Sequence, residues 1–302
     1  HGRMGDYPAA IELLQNRVQP SSLNLLEQMK KWKNWIQDGY DLDFLGDMSE
    51  YHSPKIGVVL YNVHSSLPYV TSGYTIRTRG IVGSMKDAGL EVIVNSRWGF
   101  PKDRRDYDGE GEIPPSLIQE GVEYRFSPDS EGMIKHKMED FVRMAASSIL
   151  SKALEHRPSV IHAASDHTIG LAAAMVAKAL SVPFVYEIRG LWAHSRAANN
   201  PGFLTNPKFT LMMRLEKQCA LSADRVFVIS KAIRDEVKTW GVAPGNIFLL
   251  PNGVNNDHTA ELVEAVGKGR EVKEEEGGKQ LILGYIGSIV PYEGLETLVR
   301  AI

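Results

Sequence analysis

Polar residues able to bind a ligand or to move protons, and two glycines beside them, follow successive apolar runs of the sequence at the points where the runs end. The set comprises His64, Ser72, Gly73, Arg97, His162, Asp166, His167, Glu187, Arg189, Ser230, Asn252 and Gly253. If the apolar runs are parallel strands of one sheet, their carboxyl ends meet at one edge, which is where α/β proteins bind ligands. The arrival of the whole set at one edge therefore predicts a site there.

Each of these side chains also has a purely structural interpretation. His162 can be a half-buried histidine satisfied by the core, and Asp166 can cap a helix that begins at His167. Glu187 and Arg189 lie on the same side of an extended segment and can pair with each other. The residues alone leave both interpretations open.

Basic residues gather after the first two predicted strands. They are Arg77, Arg79, Arg97, Lys102, Arg104 and Arg105. Guanidinium groups suit an acceptor that carries phosphate, such as a lipid diphosphate. The competing interpretation is a solvated loop in which Asp103, Asp106 and Asp108 serve as local partners.

The elements that must position these residues follow from the alternation of apolar runs and amphipathic segments. Strands are predicted at 56–61, 91–96, 122–126, 160–163, 184–188, 226–229 and 247–250. Helices are predicted at 74–88, 133–155, 167–180, 208–221 and 232–240, with loops at 97–112 and 190–206. Short connections between alternating strands and helices indicate a Rossmann-like, doubly wound parallel sheet in an α/β fold.

Gly73 opens the first predicted helix, directly after the loop that follows the first strand. The first amides of a helix have no partner within the helix and attract anions. This position predicts a phosphate-bearing ligand near Gly73.

Composition divides the chain into four parts. Residues 1–53 are a helical N-terminal extension, and 54–256 are the Rossmann-like domain. Residues 257–280, rich in Glu, Lys and Gly, are a linker or surface loop. Residues 281–302, with a predicted strand at 281–286, are the start of a truncated second Rossmann domain. A single βα unit cannot bury its own core, so we expect the chain to be a fragment.

The helix predicted within 21–38 carries Leu26, Met29, Trp32 and Ile36 at helical spacing, with lysines between them. Such a helix either packs its apolar stripe on the following domain or lies on an anionic membrane surface. Peripheral membrane contact through 21–38 therefore stands beside packing as an alternative.

Several functional classes lack their motifs. The sequence has no G-x-G-x-x-G or GK[ST] loop after the first strand, no HExxH and no G-x-S-x-G. The net charge of −3 argues against a nucleic-acid partner. The single cysteine, Cys219, fits a reducing compartment. Asp41 and Asp43 are better explained by a surface loop than by a metal site, so we expect neither metal nor cofactor.

Five segments in order resemble the family 4 glycosyltransferases, and most closely those of bacterial exopolysaccharide pathways. They are SGYTIRTRGIVGSMKDAGLEV, SVIHAASDHTIGLAAAMVAKALSVPFVYEIRGLW, ADRVFVISKAI, IFLLPNGV and LGYIGSIVPYEGLETL. The resemblance implies the GT-B fold, in which two Rossmann domains face each other across a cleft. It also implies metal-independent transfer, with retention of configuration, from a nucleotide sugar of unknown base and sugar to an acceptor held mainly by the first domain.

The resemblance and the residues together give three groups of site residues. The catalytic group is His162, Arg189 and Glu187. The donor-phosphate group is Ser72, Gly73, Tyr74, Gly287 and Ser288. The acceptor-binding group is His64, Arg77, Arg97, Asp166 and His167.

Four positions depart from the family pattern. Many relatives have histidine in place of Arg189 and a second histidine in place of Ala164. Ser288 and Glu293 stand where an arginine and a lysine usually neutralise the leaving diphosphate. These departures put the usual stabilisation of the leaving group in doubt.

We therefore expect a cytoplasmic glycosyltransferase of the hexosyl type, acting on a saccharide or lipid-linked acceptor, with residues 1–302 alone inactive. One alternative is a sugar-nucleotide epimerase of the same fold, for which Glu187 and Asp166 are the available carboxylates. The other is a non-catalytic subunit that binds carbohydrate or lipid-linked sugar, which the departures at Ala164, Ser288 and Glu293 favour.

Overall fold

The computed structural model of the protein describes residues 11–12, 20–129, 137–253, 263–264, 283–287, 289 and 293–302. Some predictions lie outside these residues. They concern Ser288, the end of the PNGV turn at Val254, the predicted helix start at 133–136, and most of the 257–280 linker.

The strands of the described residues form one sheet, and all of them except the third have bounds close to the predicted ones. They are β1 (Lys55–Val63), β2 (Glu91–Ser96), β3 (Ser116–Gln119), β4 (Val122–Arg125), β5 (Pro158–Ala164), β6 (Phe184–Ile188), β7 (Arg225–Val228) and β8 (Ile247–Leu249). The spatial order is β3-β4-β2-β1-β5-β6-β7-β8, and every neighbouring pair is parallel except β3 with β4. The predicted Rossmann-like, doubly wound sheet is confirmed.

The longer helices of the described residues are α1 (Pro20–Gln37), α2 (Gly73–Asp87), α3 (Met138–His156), α4 (His167–Leu180), α5 (Trp192–Asn199), α6 (Pro207–Ser222), α7 (Lys231–Thr239) and α8 (Leu295–Arg300). Helices α2 to α7 lie between strands of the sheet, whereas α1 precedes β1 and α8 follows β8 and has no buried residue. Nearly every side chain of α4 is buried, because its alanines let α3, α6 and β5 approach closely. No helix in the described part of the chain is long and apolar enough to cross a bilayer.

The core has two parts because successive side chains of a strand point to opposite faces of the sheet. Leu60 of β1 packs in the larger part, beneath α3, α4 and α6. Its neighbour Tyr61 packs in the smaller part, where α2 and β4 also contribute. Tyr61 is fully buried, so its phenol must find a polar partner inside the protein.

The N-terminal helix α1 packs its apolar stripe on the domain. Leu26 and Met29 are buried, and Trp32 and Ile36 pack partly buried against the core. Gln218 of α6 fastens the end of this extension by accepting from the Tyr40 amide at 2.7 Å and donating to its carbonyl at 2.7 Å. The apolar stripe of α1, for which contact with a membrane surface was the alternative prediction, is therefore used in packing.

Two sequence-based predictions were wrong, and one strand was missed. The 190–206 loop contains α5, where Ala193 and Ala197 are buried one turn apart, and a 3-10 helix at Pro201–Thr205. Residues 283–286, in the predicted strand 281–286, have no regular secondary structure, and Ile286 is fully exposed. Strand β3 was missed because it is a four-residue edge strand, joined to β4 by a turn with positive φ at Glu120 and Gly121.

Candidate functional site

The N-terminus of α2 lies at the carboxyl edge of the sheet, as predicted. Ser72 caps it with a reciprocal pair of bonds: Ser72 Oγ accepts from the Thr75 amide at 3.4 Å, and Thr75 Oγ1 accepts from the Ser72 amide at 2.9 Å. Within the described residues, no acceptor contacts the amides of Gly73 and Tyr74. A Cβ built on Gly73 would meet nothing within 4 Å. The turn 72–74 is thus held by its cap and open to a ligand, as an anion site requires.

A buried polar cluster lies beside the first turns of α2, and we call it the Glu187 cluster. Its members are Tyr61, Arg77, His162, Glu187 and Arg189. The carboxylate of Glu187 is fully buried and accepts from Arg77 Nε at 2.8 Å, from Arg189 Nη2 at 3.0 Å and from the Tyr61 hydroxyl. The predicted Glu187–Arg189 pair is therefore present, within a larger network.

The electrostatics of the Glu187 cluster keep its carboxylate charged and its imidazole neutral. Burial alone would raise the pKa of Glu187, but Arg189, His162 and the hydrogen bonds donated to it hold that pKa at about 2. Burial lowers the pKa of His162 to about 4 despite the nearby carboxylate. Two arginines against one carboxylate leave the cluster with one net positive charge near neutral pH.

Arg189 joins the cluster to α2. Its Nη1 donates to the Tyr74 carbonyl at 2.8 Å and to Thr78 Oγ1 at 2.7 Å, and its guanidinium carbon lies 4.3 Å from the centre of the Tyr74 ring. The side chain is 5% exposed, so the cation is fixed under the first turn of α2. This geometry favours an electrostatic role for Arg189 over direct contact with a sugar.

His162 stacks on Tyr61 with ring centroids 4.0 Å apart, and its Nε2 lies 3.9 Å from Glu187 Oε2. Nε2 is buried without a hydrogen-bond partner in the described structure. His162 is thus a buried member of the Glu187 cluster and does not lie on an open surface.

A second group of polar and aromatic side chains contains His64, Arg97, Asp103 and Trp192. The Arg97 guanidinium is buried and binds Asp103 through two bonds of 3.1 and 2.6 Å, while its Nη1 donates to the His64 carbonyl. Burial and the Arg97 charge lower the pKa of His64, which leaves its imidazole neutral. The Trp192 ring meets the His64 ring edge-on at 5.0 Å. Sequence reasoning missed Trp192 because it expected a loop there.

Asp166 and His167 serve the start of α4. Asp166 accepts from the Thr168 amide at 3.1 Å and from its hydroxyl, which is the predicted helix cap. His167 turns inward, with Nδ1 3.7 Å from Glu216 of α6. Glu216 also accepts from the Tyr186 hydroxyl at 2.7 Å, and no local pattern in α6 marks it as buried.

The sequence profile of the glycosyl transferase 4-like domain matches residues 72–253, from the capped N-terminus of α2 to the short segment that follows β8. The chain belongs to the glycosyl transferase 4-like family. A comparison with curated protein sequences found no match.

Among solved structures, the glycosyl transferase 4-like chain is similar to sucrose-phosphate synthase from Thermosynechococcus elongatus, with 14% identity over 70% of this chain and 97% of that chain (TM-score 0.44). It is also similar to UDP-GlcNAc 2-epimerase from Methanocaldococcus jannaschii, with 13% identity over 65% and 45% (TM-score 0.40). The epimerase from Neisseria meningitidis, bound to UDP-GlcNAc, gives 12% over 71% and 52% (TM-score 0.43). The chain spans about half the length of these epimerases.

Two other predicted site residues lie away from an open binding surface or in a different part of the chain. Arg77 contacts Glu187 and residues 250–252, with four of its five N–H groups engaged. Gly287 is exposed, in the C-terminal segment. In the described part of the chain, no group of three or more His, Cys, Asp or Glu side chains is arranged to hold a metal ion.

Proposed function

We propose that the protein is a nucleotide-sugar-dependent glycosyltransferase and that residues 54–256 form its acceptor-side domain. The observation that carries this proposal is the family match, which begins at the capped, open turn 72–74. In this proposal the amides of Gly73 and Tyr74 meet the donor diphosphate, which a second domain containing Gly287 and Ser288 delivers. Transfer is metal-independent and retains the anomeric configuration.

The Glu187 cluster supports the departure of the diphosphate. Its net positive charge is held by hydrogen bonds just under the first turn of α2, so it needs no reorganisation when negative charge develops on the leaving group. This fixed cation offers compensation for Ser288 and Glu293, which replace the family's usual cations. His162 contributes to this role by stacking on Tyr61.

The acceptor side is built from His64, Arg97 and Trp192. The neutral His64 imidazole can hydrogen-bond a sugar hydroxyl, and the half-buried Trp192 ring offers an apolar face of the kind that sugar rings contact. We propose a saccharide or lipid-linked acceptor of the exopolysaccharide type, and a hexosyl donor.

We also propose a cytoplasmic protein. Any contact with a membrane surface would have to use exposed side chains such as Leu25 and Lys30, because Leu26 and Met29 of the same helix are buried.

The two available carboxylates make the epimerase alternative the weaker of the two. Acid–base chemistry at a sugar needs a carboxylate poised near neutral pH. Glu187 has a pKa of about 2 and is bonded to two arginines, while Asp166 has a lowered pKa and caps α4. A non-catalytic binding subunit would use the same surfaces, and only an experiment distinguishes it from a transferase.

The test incubates the full-length protein with a panel of nucleotide sugars, with and without lipid-linked and saccharide acceptors, and measures released nucleotide and glycosylated product. Nucleotide release that depends on acceptor and matches product supports the proposal. Release without transfer indicates epimerase or hydrolase chemistry, and binding without release indicates a binding subunit.

A further inference from the structure

Arg77 makes an unusual set of contacts for a helix residue near a binding turn. Its Nε donates to Glu187 Oε1 at 2.8 Å, and its Nη2 donates to the Leu250 carbonyl at 2.7 Å. Its Nη1 donates to the Pro251 carbonyl at 3.0 Å and to Asn252 Oδ1 at 2.9 Å. One guanidinium thus bonds three successive residues of the segment that comes after β8.

This segment has little else to hold it. The Leu250 amide donates to the Val228 carbonyl at 2.8 Å, which extends the β7–β8 pairing by one bond. Pro251 has no N–H to donate, and no described acceptor takes the amides of Asn252 and Gly253. The direction in which the chain leaves the sheet is therefore determined mainly by Arg77.

The backbone of Arg77 and its Nε are both held in place. Arg77 lies one turn after Gly73 on α2, and Glu187 anchors its Nε from β6. The side chain is 10% exposed, so its bond to Glu187 is largely shielded from water, while its bonds to Pro251 and Asn252 lie at the surface. The guanidinium thus connects the turn 72–74, the Glu187 cluster and the chain exit through direct bonds.

We propose that Arg77 is a positioning residue, which fixes the path of residues 250–253 relative to the turn 72–74. Its consequence for catalysis rests on the proposed function: the part of the protein that delivers the donor comes after this exit, so its approach to Gly73 depends on Arg77. The ordering of the exit itself does not depend on any activity.

Only arginine suits this position. Acceptors in several directions need the planar fork of a guanidinium, whereas an ammonium is a compact charge that cannot reach all of them from one side chain. Arg77→Lys keeps the charge beside Glu187 and loses the fork. Arg79→Lys is a matched control, because Arg79 lies on the same helix and pairs with Glu120 at an exposed site.

The primary test measures backbone ¹⁵N relaxation at the Asn252 and Gly253 amides in residues 1–302. We expect order parameters near 0.85 in the wild type and in Arg79→Lys, and below about 0.6 in Arg77→Lys. Asn252→Ala, which removes one exposed acceptor, should give an intermediate value at Gly253. Equal order at both amides in wild type and Arg77→Lys, with the fold intact by amide spectra, would overturn the proposal.

A second arm uses the full-length enzyme and measures transfer. Arg77→Lys should lower kcat about tenfold or more while the acceptor KM changes little, because misplacement of the donor affects the chemical step rather than acceptor binding. An unchanged kcat would overturn the catalytic consequence. If the wild type shows no transfer at all, the proposed function fails, and the relaxation measurement still decides the role of Arg77.

Discussion

Arg77 and Arg79 lie two residues apart on α2, and each pairs with a glutamate, yet the two pairs are in opposite surroundings. Arg77 meets Glu187 at the carboxyl edge of the sheet, where the side chains are 10% and 0% exposed. Arg79 meets Glu120 on the β3–β4 turn, where they are 51% and 52% exposed. The closest N–O distances are similar, 2.8 and 2.6 Å.

The difference lies in what water can do. At the outer turn, solvent screens the pair and replaces either partner, so its contribution to stability is small. In the buried Glu187 cluster, water cannot replace a lost charged partner, and each charge depends on the others. A cluster of this kind holds its groups in fixed positions, which is what a site for a charged substrate needs.

The largest effect is expected from Glu187→Ala. It leaves Arg77 and Arg189 buried beside each other without their carboxylate, which should lower the free energy of unfolding by about 3–5 kcal/mol. Glu120→Ala is the control and should cost about 0–1 kcal/mol. Urea denaturation of both variants measures the difference. Equal losses would show that burial does not distinguish the two pairs.

The second effect is a pH dependence that arises at His162. Its folded-state pKa of about 4 lies below the ordinary value of 6.5, so between these values the unfolded state binds more protons. Stability should therefore fall as the pH falls, by about 2 kcal/mol between pH 7 and pH 5 from this residue.

His162→Phe keeps the stack on Tyr61 and cannot titrate, so its unfolding free energy should fall less than that of the wild type over the same pH range. If this variant responds to pH as the wild type does, His162 is not held neutral by the fold.

A smaller effect compares two serine caps at the same sheet edge. Ser72 Oγ accepts from the Thr75 amide and Ser230 Oγ accepts from the Ile233 amide. Each change to alanine should cost about 1 kcal/mol in thermal or urea unfolding. Donor binding should weaken in Ser72→Ala alone, because only the first cap shapes the turn 72–74. Equal effects of the two variants on donor affinity would contradict that assignment.

The sequence predicted the sheet well because its strands are apolar on both faces and its turns are marked. Asp166 was identified as a possible cap because it stands directly before a helical segment. The edge strand β3 and the helix α5 were missed because each is short and carries few apolar residues.

Partners distant in sequence could not be predicted. Arg77 reaches Glu187 and Pro251 across more than 100 residues, and His167 finds Glu216 on another helix. Such contacts depend on how strands and helices are placed together, which no local spacing encodes. The sequence predicted which edge carries the polar groups, and the fold decides which of them are already engaged with one another.

The proposed function requires that the amides of the turn 72–74 bind the donor diphosphate. Gly73→Ala should block this contact, because the added Cβ meets nothing within 4 Å in the protein yet would stand where the proposed phosphate must approach. Gly80→Ala, farther along α2 and equally free of clashes, is the control.

Both variants should fold with at least wild-type stability, since alanine favours a helix over glycine. Isothermal titration of the full-length protein with its nucleotide sugar should show at least about a tenfold weaker Kd for Gly73→Ala, or about 1.4 kcal/mol, and no change for Gly80→Ala. A wild-type Kd in Gly73→Ala would contradict the account.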